Sequence, residues 1–182
     1  MKTITVPTRE TVSAANQQIF DALTKKLGKV PNLFATMALS ENGLATYLGL
    51  ANAKSSLKAK EKEVINLAVS QANGCEYCTA AHTAIAKLNG FNDEQILEIR
   101  SGAVSFDSKY DILAKLSISF VETKGKPDAA LLDAFYAAGY TDENLVDVIT
   151  VIADKTFTNY LFGATKIPVD FPAVPSLETV KA

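Results

Sequence analysis

Gly90-Phe91-Asn92-Asp93-Glu94-Gln95-Ile96-Leu97-Glu98-Ile99 ends one helix and begins another, and the chain says it twice. Gly139-Tyr140-Thr141-Asp142-Glu143-Asn144-Leu145-Val146-Asp147-Val148 repeats it position by position in character, 49 residues later. In each copy a glycine stops a helix and an aromatic residue packs against the next one as a staple. Asn92 or Thr141 then caps that helix, and acidic side chains occupy its positive first turn. Two copies of a stop-cap-helix unit predict an all-α bundle with a partial internal repeat.

The same punctuation runs along the rest of the chain. Gly28, Gly74, Gly102 and Gly125 also follow stretches with apolar residues at helical spacing, where a left-handed C-terminal cap favours a residue without Cβ. Helices are expected over residues 11–27, 32–50, 57–72, 75–89, 93–101, 108–124, 128–138 and 142–165. Ile112, Leu113, Leu116, Phe120 and Val121 form a broad core-facing stripe, as do Leu145, Val148, Ile149 and Ile152. No strand-like alternation competes with this pattern. All six prolines fall outside residues 32–126, and Pro168, Pro172 and Pro175 sit in an apolar C-terminal segment that cannot continue a helix. That segment is expected to be an extended tail, with Phe171, Val174 and Leu177 placed to make a contact between subunits.

Composition narrows the class. At 182 residues, 48% hydrophobic and 21% charged, the chain is expected to form one compact domain over residues 1–182. No apolar run approaches the ~20 residues of a membrane span. Lys and Arg number 18 against 20 Asp and Glu, a net charge of -2, with no basic stripe to neutralise phosphates. Neither nucleic acid nor membrane is therefore an expected partner. The opening Met1-Lys2-Thr3-Ile4-Thr5-Val6-Pro7 is polar and interrupted by proline, unlike a secretory signal, so the cytoplasm is the expected compartment.

The two cysteines and the one histidine of the chain lie within eight residues, Cys75-Glu76-Tyr77-Cys78-Thr79-Ala80-Ala81-His82. Asn73-Gly74 breaks the preceding helix, so the pair begins a new one, and positions 75, 78 and 82 fall on one stripe. Unpaired N–H groups and the positive helix end favour thiolate over thiol there. His82, one turn beyond Cys78, is placed to exchange protons with it. Three readings fit the cluster: a Cys, Cys, His stripe buried in a core, a zinc site, or thiol redox chemistry. A closed zinc site needs four ligands, and after Cys75, Cys78 and His82 no Cys or His is left, although Glu63 supplies a carboxylate. The spacing of the pair at a helix start is a redox geometry. Position alone favours Cys75, nearest the helix start, as the more acidic thiol. Glu63 belongs to a polar stripe with Asn66, Ser70 and Asn73, which by itself reads equally as a face turned to water beside Lys60 and Lys62.

Glu63, Cys75, Cys78 and His82 at this spacing resemble the signature of the alkylhydroperoxidase D (AhpD) and carboxymuconolactone decarboxylase superfamily. Val30-Pro31-Asn32-Leu33-Phe34 is similar to the segment before the core in its peroxidase-related branch. The unit starting at Gly139, and Asn159 followed by Pro168 and Asp170, are similar to that branch's second half, so the resemblance spans most of the chain. It implies an AhpD-like helical fold assembled as a homo-oligomer, a trimer or hexamer. The implied activity is a thiol-dependent peroxidase that reduces organic hydroperoxides and is recharged by an external dithiol or disulfide reductant, with no cofactor and no metal.

By the same resemblance Cys78 is the peroxidatic thiol, Cys75 resolves its sulfenic acid as a disulfide, and Glu63 and His82 relay protons. The chain departs from the pattern at Tyr77, where the AhpD motif has a second histidine; a phenol with a pKa of about 10 cannot shuttle protons near neutrality. Named decarboxylases of the superfamily generally lack the cysteine pair, so lactone decarboxylation is the alternative enzyme activity. A non-peroxidatic disulfide reductase or redox sensor is the other.

Overall fold

A computed structural model describes residues 4–177. Among them it is helical throughout: α1 (Ala14–Leu27), α2 (Asn32–Met37), α3 (Gly43–Ala51), α4 (Ala59–Ala72), α5 (Glu76–Leu88), α6 (Asp93–Ser101), α7 (Ser108–Glu122), α8 (Ala129–Ala137) and α9 (Asp142–Thr165), after a 3-10 turn at Arg9–Thr11. The all-α expectation therefore holds, and α6 and α9 start and stop where the sequence places them.

The repeated unit folds alike in both copies. Gly90 and Gly139 take φ of 85° and 89°, a region that an L side chain enters only with strain. At the first copy the amides of Gly90 and Phe91 donate back to Lys87 and Ala86 O; at the second, those of Gly139 and Tyr140 donate to Tyr136 and Phe135 O. Both pairs close the last turn in the double-bonded glycine cap of helix C-termini. The aromatic residue that follows is buried in each case. Asn92 Oδ1 then accepts from the Gln95 amide at 2.8 Å, and Thr141 Oγ1 from the Asn144 amide at 3.3 Å.

One expected helix is two. Residues 32–50 break between α2 and α3, and the cause lies on α1. Asn16, fully buried, donates its side-chain amide to the carbonyls of Ala38, Ser40 and Glu41 at 3.2–3.3 Å. Those carbonyls would otherwise be unpaired at the end of α2, so one remote side chain stabilises the turn that the local apolar pattern hides.

The chain divides into two compact units. One holds residues 4–53 and Tyr160–Asp170. In it, the Asp170 carboxylate takes Lys29 Nζ at 2.9 Å and the Asn32 amide at 3.3 Å, while Asn32 Nδ2 donates to Pro168 O, which ties down the extended segment after α9.

The other unit holds Lys54–Asn159 and residues 171–177. Its core surrounds α4, which packs against α5, α6 and α7, with α8 on α7. Val64, Ile65, Leu67, Ala68 and Val69 are fully buried, so α4 is enclosed on nearly every side along this stretch. Leu113, Leu116, Phe135 and Val148 close over it from the neighbouring helices. In the tail Phe171 packs edge-on against Tyr77 of the same chain, with centroids 5.4 Å apart.

Candidate active site

A tight reversal positions the two cysteines. Asn73 ends α4, Gly74 turns at φ 63°, and the Cys75 amide reaches back to Ser70 O at 2.9 Å while Gly74 N bonds Gln71 O. This cap delivers Cys75 at once to the N-cap position of α5, where its sulfur accepts the Cys78 amide at 3.3 Å. Both thiols are free and buried.

Glu63 and His82 meet in the same unit. The polar stripe of α4 faces inward: Glu63, Asn66 and Ser70 are all buried, which removes the water-facing reading. Glu63 Oε2 lies 2.9 Å from His82 Nδ1, and Glu63 Oε1 accepts Asn66 Nδ2 at 2.9 Å. Burial pushes the Glu63 carboxyl up, but His82, Asn66 and the charge of Lys155 together outweigh it and hold the group below the usual carboxylate range. Since a carboxylate only accepts, it fixes the proton of a neutral His82 on Nδ1 and leaves Nε2 as an acceptor.

α9 supplies Lys155, which the sequence reading left out, and Asn159, which entered it only through the resemblance. Lys155 Nζ sits 3.0 Å from His82 Nε2, and the side chain is only 4% exposed. Both ring nitrogens of His82 are thus engaged, and neither bonds a cysteine sulfur. One turn on, Asn159 Oδ1 accepts Asn73 Nδ2 at 2.9 Å, which turns Asn159 Nδ2 toward the cysteine pair. That nitrogen makes no full hydrogen bond, yet it lies close enough to both thiols to make each more acidic.

A signal for these residues exists in the sequence. Lys155 and Asn159 continue the core-facing stripe of Val148 and Ile152 at 4, 3 and 4 residue steps, so a lysine and an amide stand where apolar side chains belong.

The two thiols are driven apart. A hydrogen bond from the Cys75 thiol lowers Cys78 most; burial opposes it, and Asn159, Lys155 and Thr158 lower it further, bringing Cys78 to about 7. Cys75 moves the other way, raised by its bond to Cys78, by burial and by the facing negative charge. Position at the helix start favours Cys75 as the acidic thiol; the hydrogen bond between the two thiols reverses that order, and groups from α9 add to it.

Tyr77, in place of the motif histidine, is buried with its ring against Phe171, a packing role. Among the described residues no group of three or more His, Cys, Asp or Glu side chains is arranged to hold a metal ion. Nor is any helix long and apolar enough to cross a membrane.

Residues 39–109 match the carboxymuconolactone decarboxylase family. Among curated protein sequences none matches the chain. Solved structures share its fold. A peroxidase-related protein from Silicibacter sp. TM1040 is 21% identical with a TM-score of 0.80, over 91% of this chain and 90% of that one. An alkylhydroperoxidase AhpD core, a peroxidase-related protein from Ralstonia eutropha JMP134, is 19% identical with a TM-score of 0.80, over 96% and 93%. The debrominase Bmp8, in complex with 2,3,4-tribromopyrrole, is 19% identical with a TM-score of 0.78, over 93% of each chain. The segment that matches the carboxymuconolactone decarboxylase family is the one that holds Glu63, Cys75, Cys78 and His82, and the chain carries the AhpD-like fold.

Proposed function

We propose that the protein is a cytoplasmic, homo-oligomeric thiol peroxidase, a trimer or hexamer, that reduces organic hydroperoxides through Cys75 and Cys78. The observation that carries this reading is the arrangement of the pair: the Cys75 sulfur at the N-cap of α5 accepts the Cys78 amide at 3.3 Å, and the contact between the two thiols lowers the pKa of Cys78 and raises that of Cys75. The Cys78 thiolate attacks one oxygen of the O–O bond, which breaks to give Cys78 sulfenic acid and an alkoxide that leaves as the alcohol. Cys75 then displaces hydroxide from that sulfur, forming the disulfide and water. An external dithiol or disulfide reductant restores both thiols by exchange and is itself oxidised. A protonated resolving thiol suits this order, because it does not compete for the peroxide while Cys78 reacts.

The test is thiol consumption and product mass after a slight excess of organic hydroperoxide is added to reduced protein. Wild type is expected to lose two thiols as one intramolecular disulfide, and Cys75→Ser to stop at a sulfenic acid on Cys78. Thiols that stay reduced at rates no better than free cysteine would sink the proposal. The family match supports a second reading, decarboxylation of a lactone acid, in which the cysteines are dispensable. Lactone decarboxylation that survives Cys78→Ser identifies that activity.

A further inference from the structure

Lys155 is a buried ammonium group without a hydrogen-bonded carboxylate. Asp154 Oδ1 lies 3.5 Å away and makes no hydrogen bond, whereas His82 Nε2 lies at 3.0 Å. Burying a cation is costly unless it is paired or bonded, so a lysine with a histidine nitrogen as its chief partner calls for a role. The titratable groups set against it are Glu63 from α4, Cys78 and His82 from α5, and Asp154 beside it on α9. His82 lies one turn beyond Cys78 on α5, and Asn159, which reaches the cysteine pair, lies one turn beyond Lys155 on α9. The two helices therefore bring Lys155 to the His82 end of the site and Asn159 to its cysteine end.

On the peroxidase reading, we propose that Lys155 is the catalytic acid: its ammonium group protonates the alkoxide released from the hydroperoxide, and Glu63 and His82 act as the clamp that aims it. His82 accepts from Lys155 through Nε2 and donates from Nδ1 to Glu63, so the hydrogen-bonded line Glu63, His82, Lys155 ends at the ammonium and not at the imidazole. The cycle balances. It starts from Cys78 thiolate and Lys155 ammonium. The thiolate takes one peroxide oxygen, forming the S–O bond as the O–O bond breaks, and the alkoxide takes the proton of Lys155 to leave as alcohol. Condensation of the sulfenic acid with the Cys75 thiol releases water and needs no further proton. The lysine that gave up its proton regains it from the Cys78 thiol once the external dithiol has reduced the disulfide, which restores thiolate and ammonium.

The leaving group gives the test. Full-length wild type, Lys155→Met and Lys155→Gln are reacted with tert-butyl hydroperoxide, whose alkoxide needs a proton, and with peracetic acid, whose acetate does not. Iodoacetamide alkylation of Cys78 serves as the proton-independent control. All are run at pH 9, where Cys78 is thiolate even if its acidity falls somewhat. Both variants are expected to lose about 100-fold or more with tert-butyl hydroperoxide and only a few-fold with peracetic acid and iodoacetamide. Equal losses with all three reagents, or no loss in either variant, would overturn the role of Lys155. Lys155→Arg keeps a charge in the same place and shows whether a misfolded variant is the cause. Should Met and Gln both fail to fold, the same leaving-group comparison on Lys155→Arg decides, since a guanidinium is a far weaker acid and must lose the tert-butyl reaction selectively. If wild type reacts with neither peroxide, the peroxidase reading itself falls, an outcome distinct from any difference among the variants.

Discussion

The amide of Cys78 donates to the sulfur of Cys75 across 3.3 Å, so the N-cap of α5 and the residue three positions on share one helix terminus while their thiols differ widely in acidity. A rate that follows thiolate should therefore titrate with Cys78. Alkylation by iodoacetamide is expected to rise with pH about a midpoint near 7, with Cys78 modified before Cys75 by peptide mass. Cys75→Ala removes the largest cause and is expected to move the midpoint toward the ordinary thiol value of about 8.5. A Cys75-first labelling order would show that the helix start outweighs the hydrogen bond between the thiols and the groups from α9 together.

The same split gives stability a defined pH dependence. Cys78 has its folded pKa, about 7, below its unfolded one, so between those values the folded state holds fewer protons than the unfolded chain and stability rises with pH. That contribution is present above the unfolded value and is lost as pH falls through 7. Cys75, raised on folding, has the opposite sign: its contribution is complete below the ordinary thiol range and is lost above it. Reduced wild type compared with Cys78→Ser and Cys75→Ser by Tm from pH 6 to 10 should show the first slope vanish in one variant and the second in the other.

Glu63 governs the acid limb. Its folded carboxyl lies below the usual range, so its contribution is present above the unfolded value near 4.3 and is lost as pH falls further. Glu63→Gln is expected to flatten the fall of Tm between pH 5 and 3. Glu63→Ala, which strands buried His82 and Lys155 without their anion, is expected to cost about 3 kcal/mol in urea unfolding at neutral pH.

Asn16 closes the break between α2 and α3 through three carbonyls. Asn16→Leu has similar volume but no donor, and is expected to cost about 2 kcal/mol, because buried acceptors are left unpaired. Hydrogen exchange should localise the loss to residues 38–43. An effect spread evenly over the chain would mean that Asn16 serves packing alone.

Phe171 covers Tyr77 beside the cysteine pair. Phe171→Ala is expected to lower stability by about 1 kcal/mol and to speed amide exchange over residues 75–79, because a half-buried ring and its edge contact are lost. An unchanged exchange rate there would show that the tail does not shield the start of α5.

Local chemistry made much of this protein legible in advance. Gly90 and Gly139 with their aromatic and capping neighbours announce helix ends because caps are satisfied by side chains within a few residues, and so α6 and α9 begin and end as read. Cys75, Cys78 and His82 were found because all three lie on one helix, where spacing alone sets direction. Wherever partners come from different helices, the sequence runs out. It left Glu63 open between water and core, and it hid the break after α2, whose cause is Asn16 on another helix. The order of thiol acidity was decided partly the same way. The dipole at the start of α5 is local and favours Cys75; the hydrogen bond from the Cys75 thiol to Cys78 acts most strongly against it, and Lys155, Thr158 and Asn159, brought close from α9 in a buried site, lower Cys78 further. Only the tertiary structure places those groups, because electrostatic effects depend on distance in space and burial, and neither is written in the order of residues.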